Sequence, residues 1–141
     1  MRTAVASVAV ALVAAAWSLV PVGAAVAAAG ITVTGVSVGD YPDDGLWVVG
    51  TATCSTTTGT GTVDVSAFQI LLGANAFGSG TTTISCADQP AYWSVFASTG
   101  AGCFYPGTGS GCFQHNSLAS AFATLTRAGV AEASHGGPFP T

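Results

Sequence analysis

Apolar and polar positions alternate through most of this chain in short runs, and glycine, proline or aspartate separates one run from the next. A period of two is the mark of half-buried strands. The first run is ITVTGVSV, residues 31–38. Ile31 and Val33 share one face, Val36 and Val38 the other, and the change of phase at Gly35 predicts a bulge. In LWVVGTATC, 46–54, Leu46 and Val48 have the parity of Cys54, so Trp47 points to the opposite face. TVDVSAFQILL, 62–72, reads as a third strand whose phase moves from Val63 and Val65 to Phe68, Ile70 and Leu72. TTTISC, 81–86, and YWSVFAS, 92–98, complete the clear runs, with Trp93 and Val95 on a core face.

The separators predict the connections. DYPDDG, 40–45, carries an Asp-Gly hairpin signal. STTTGTGT, 55–62, reads as a loop, and GANAFGSG, 73–80, and Asp88-Gln89-Pro90 as turns. SLASAFATLTR, 117–127, fits two periods. Leu118, Phe122 and Leu125 suit a helical face, whereas Ala119, Ala121, Ala123 and Leu125 suit a strand. Helix caps are missing and short strands precede it, so the strand is favoured. The tail EASHGGPFPT, 132–141, is expected to fray. Six or seven short strands with turns between them predict an antiparallel β-sandwich.

The N-terminus breaks this pattern. Arg2 precedes the unbroken stretch AVASVAVALVAAAWSLV, Pro21 and Gly23 interrupt it, and two small-x-small sites follow, Ala25-Val26-Ala27 and Ala27-Ala28-Ala29. This is the form of a cleavable secretory signal peptide. A membrane anchor would need about 20 apolar residues and basic flanks; this run is short, Ala-rich and not followed by stop-transfer charges. The expected organisation is a signal peptide over 1–29 and one secreted domain over 30–141 with a flexible C-terminal tail.

Charge narrows the function. Beyond the leader, Arg127 is the single basic residue, facing Asp40, Asp43, Asp44, Asp64, Asp88 and Glu132. Phosphate backbones are bound by several Lys or Arg, so nucleic acid and anionic membranes are excluded as partners. Hydroxyls, rather than charges, supply the solubility, a composition that also favours association.

Cys54, Cys86, Cys103 and Cys112 all follow the leader, and in an oxidising compartment four cysteines pair. Of three possible connectivities, Cys54–Cys86 with Cys103–Cys112 is favoured. The first two each end a strand-like run, and the last two bracket FYPGTGSG, a segment rich in turn residues. Chain entropy assigns roughly 3–4 kcal/mol to the longer bridge and about 2–3 to the shorter, a sum comparable to a small domain's stability. No C-x-x-C spacing is present, so neither a metal site nor a redox pair is expected.

LWVVGTATCS, the cysteine of TTTISC, the aromatic run YWSVF and the late Ala121, Ala123, Leu125 segment together resemble small secreted actinobacterial domains of unknown function, described as immunoglobulin-like sandwiches. The similarity spans most of residues 31–127. It implies an immunoglobulin-like fold with a cross-sheet bridge between the cysteines of GTATC and TISC. It implies no activity, and Cys103 and Cys112 are a departure from it.

Candidate chemistry is sparse. His115 and His135 are the only histidines, and a Ser-His-Asp site can be assembled from this chain only on paper, because a triad is recognised by geometry. No cofactor, metal site or enzyme activity is expected, a small hydrolase being the least favoured reading. The acidic turn Asp40, Asp43, Asp44 lacks a calcium-loop pattern and reads as a turn. Binding is the better prospect. Phe104 and Tyr105 sit on the Cys103–Cys112 loop, where a staple limits the entropy lost on binding. Trp47 and Val49 would form an apolar patch if their face is exposed. The expectation is a secreted non-catalytic recognition module for an extracellular protein or glycan. The alternative is a self-associating structural or surface protein.

Overall fold

The computed structural model describes residues 28–39, 44–71, 74–99 and 111–141. These residues contain seven strands: β1 (Gly30–Val38), β2 (Gly45–Thr53), β3 (Thr60–Leu71), β4 (Ala74–Ser85), β5 (Ala91–Ser98), β6 (Leu118–Arg127) and β7 (Val130–Pro140), with no helix among them. All pairings are antiparallel, in the order β1-β2-β5-β4-β3-β6-β7.

The sheet has a weak corner. β4 and β5 pair only at Ser79 and Ser98, so β1-β2-β5 and β4-β3-β6-β7 are two well-paired halves joined at one point. The sheet curls until β1 packs on β6 and β7, giving a nearly barrel-shaped form. At that seam the Val33 N–H donates to His135 Nδ1 at 3.1 Å. Val33 borders the bulge predicted at Gly35, where the β1–β2 register shifts. The bulge turns Val36 and Val38 back toward the core, which both partly enter.

Strict alternation builds the interior. Leu46, Val48, Ala52, Trp93, Val95, Ala97, Val63, Val65 and Leu125 are buried, and Ala119, Ala121 and Ala123 place β6 as a strand. The many alanines let the two halves approach closely, while each large side chain such as Leu125 contributes roughly 1.5–3 kcal/mol on burial. Cys54 and Cys86, both buried, are joined across the end of this core with their Cα atoms 5.4 Å apart. No described cysteine is free, and Cys112 is disulfide-bonded.

Three sequence expectations are corrected. The phase of β3 does not switch: Ala67 and Gln69 continue the buried face of Val63 and Val65, while Phe68 is half-buried and Ile70 exposed. Buried Gln69 is possible because its amide is satisfied, Oε1 accepting the Gln114 N–H at 2.6 Å and Nε2 donating to the Gln114 carbonyl at 3.0 Å. Residues 74–80 are not a turn but the first half of β4. Their glycines serve close approach rather than reversal, since a Cβ on Gly78 or Gly80 would stand 2.4 Å from the carbonyl oxygens of Ala97 and Phe96 in β5. The tail does not fray. Its register with β6 runs from Arg127 opposite Val130 to Leu118 opposite Pro140. A two-residue turn, Ala128-Gly129 with φ of 49° and 78°, reverses the chain in the left-handed conformation such hairpins use.

Candidate recognition surface

With the core side of every strand filled, the remaining alternate positions face outward. On β2 and β5 these bring Trp47 directly opposite Phe96, with ring centroids 5.0 Å apart and planes tilted by 50°. Val49 lies opposite Ser94, and Thr51 opposite Tyr92, on the same face. Trp47 is 45% exposed and Tyr92 88% exposed, values far from those of a core aromatic. Trp93, one position away, is buried at 4%. The sequence parity of Trp47 against Leu46 and Val48 therefore identified its direction correctly, and the patch it forms includes Val49 as expected.

A second aromatic group occupies the outward face of β4, β3 and β6. Phe77 of β4 stands opposite Phe68 of β3, centroids 6.4 Å apart, and Phe122 of β6 lies 6.0 Å from Phe68 with planes within 10°. The Phe122 ring covers Gly136 of β7, where a Cβ would meet it at 2.2 Å. Sequence reading missed this group for two reasons: the supposed phase switch turned Phe68 inward, and the supposed turn removed Phe77 from any strand. No local signal pointed the other way, because polar Gln69 beside Phe68 and Gly78-Ser79-Gly80 after Phe77 both favour the reading that the structure overturns.

The polar chemistry gathers elsewhere. Glu132 of β7 accepts hydrogen bonds from the Ser55 N–H (3.1 Å) and hydroxyl (2.6 Å), and from Arg127 Nε (2.7 Å). These contacts, the Ser55 hydroxyl foremost, hold the Glu132 carboxyl at about 2 against an ordinary 4.5. A carboxylate so engaged, with its serine donating toward it, is a clamp between the loop after β2 and the β6–β7 hairpin, and a poor general base. His115 is exposed, and His135 is used at the β1–β7 seam. Among the described residues no three His, Cys, Asp or Glu side chains are grouped to hold a metal ion.

Cys103, Phe104 and Tyr105, with Asp40 and Asp43, lie outside the described residues, so the stapled-loop site is not placed. No protein-family model matches the chain, and no curated protein matches its sequence.

Proposed function

We propose that this chain is an exported, non-catalytic recognition module that engages an extracellular protein or glycan through the aromatic face around Trp47. The observation that carries the reading is the outward, half-exposed Trp47–Phe96 pair with Val49 and Tyr92 beside it. Aromatic residues on an open, rigid sheet face supply contact area at little entropic cost. Export is supported by the apolar leader over 1–29 and by the Cys54–Cys86 bridge, which is of a kind that persists in oxidising compartments. An immunoglobulin-like sandwich is supported by the grouping of β1-β2-β5 apart from β4-β3-β6-β7, which follows that topology with the fourth strand moved beside the third. A non-catalytic role is supported by the engagement of Glu132 and Arg127 in a structural clamp. Cys103–Cys112 would staple a second contact loop bearing Phe104 and Tyr105.

The test uses the purified domain from residue 30 onward, sedimented with insoluble cell-wall glycans and passed over immobilised culture-medium proteins. Retention that Trp47→Ala abolishes without lowering the melting temperature is the expected result. Equal retention by Trp47→Ala overturns the assignment of this face. Concentration-dependent oligomers that Trp47→Ala disperses would establish the self-associating structural reading instead.

A further inference from the structure

We infer that the Phe77–Phe68–Phe122 row is a second, separate binding site, and that its ligand is an uncharged polysaccharide chain. Three features of the face lead to that class. The rings form a continuous series across three neighbouring strands, with centroid spacings of 6.4 and 6.0 Å. They are open to solvent, Phe77 being 63% and Phe122 48% exposed. The face is also almost free of charge. Among the outward positions of β3, β4 and β6, Asp64 is the single ionisable side chain, and the hydroxyls and amide of Ser66, Ser79, Ser120, Thr124 and Asn75 lie around the rings together with the exposed apolar Ile70 and Leu118.

The physical match follows from both halves of that description. A sugar ring has apolar C–H faces and an equatorial rim of hydroxyls. The C–H face packs on the negative face of an aromatic ring, as other weakly positive groups do, and the rim needs donors and acceptors of its own neutral kind. Ring and hydroxyl positions interleave here: Ser120 pairs with Phe68, and Ser66 with Phe122. An open groove of about 400 Å³ runs beside Phe68 and Phe77, lined also by Ser66, Ser79, Ser98 and Thr99. An anionic polymer would meet Asp64 with no cation to offset it, because Arg127, the domain's one basic residue, is committed to Glu132. Gly136 fixes the end of the row, since any side chain there would displace the Phe122 ring.

The site rests on the export reading only for where it meets such a polymer; binding itself is tested with purified protein. Native affinity electrophoresis compares migration in gels containing hydroxyethyl cellulose, a neutral β-glucan or, as the charged control, polygalacturonate. Retardation by a neutral polymer and not by polygalacturonate is expected. Phe68→Ala should weaken it at least roughly tenfold, as truncating a central aromatic anchor does. Phe77→Ala, at the most exposed ring, provides a variant with little risk to folding and should also weaken it. Trp47→Ala should leave it unchanged, which separates this site from the Trp47 face. Migration unaffected by every neutral polymer, retardation that survives both phenylalanine variants, or retardation by polygalacturonate alone each overturns the proposal. So does a dimer in solution that Phe68→Ala dissociates, because the row would then be occupied by a second copy.

Discussion

Glu132 and Ser55 are 77 positions apart in sequence, yet one carboxylate takes both the backbone N–H and the hydroxyl of that serine. Arg127, across the Ala128-Gly129 turn, completes the arrangement at 2.7 Å. The domain's one glutamate and one arginine thus tie the loop following β2 to the last hairpin.

This tie makes stability depend on acid in a defined window. The folded state holds the Glu132 carboxyl at about 2, below its ordinary 4.5, so the unfolded chain takes up the proton first. The stabilisation is therefore fully present above pH 4.5 and is lost as pH falls from there toward 2. Urea midpoints measured from pH 2 to 6 should rise through this window. Glu132→Gln should flatten the rise, and the difference between the two curves isolates Glu132 from the aspartates. Parallel curves for wild type and Glu132→Gln would show that the carboxylate contributes nothing to folding.

The Cys54–Cys86 bridge closes a separation of 32 residues that includes all of β3 and β4. Those strands are two of the four in the larger half of the sheet, and an unlinked chain has more conformational freedom to lose on folding. Cys54→Ala with Cys86→Ala should lower the unfolding free energy by about 3–4 kcal/mol. Denaturant titration checks this, and removal of the bridge at no cost would mean that the core alone sets the position of β4.

The strands legible in the sequence were those whose alternation is unbroken. Leu46, Val48 and Cys54 fixed the direction of Trp47, and the Ala119-Ala121-Ala123 series fixed β6. What misled was chemistry that only tertiary contact explains. Gln69 looks like an outward residue until the backbone of Gln114 is seen to satisfy it. Gly78 and Gly80 look like turn glycines until β5 is found against them. His135 and Gly136 suggest a frayed tail, although one seals the β1–β7 seam and the other lies beneath Phe122. The candidate surface was legible at Trp47 and Val49 only, because the phenylalanine row needs β3 and β4 in register, and local pattern had assigned half of β4 to a turn.

Gln69 offers the sharpest test of that last lesson. It is 1% exposed, and its amide grips the segment after Gly111 that carries buried Phe113 into the core. Hydrophobic logic alone would recommend leucine at this position, since every neighbour on the same face of β3 is apolar or glycine. Leucine cannot accept the Gln114 N–H, however, and would leave that donor without its partner. The Gln114 carbonyl would fare better, because the Thr141 hydroxyl already donates to it at 2.7 Å. Gln69→Leu should therefore destabilise by about 1–3 kcal/mol, the cost of leaving the part-buried Gln114 donor without its partner, despite the gain in apolar volume. Urea unfolding measures the loss, and amide exchange at Gln114 should accelerate more than exchange at core positions such as Val65. A Gln69→Leu domain as stable as wild type, with Gln114 exchange unchanged, would mean that Phe113 alone anchors this segment and that the amide pairing is incidental to the fold.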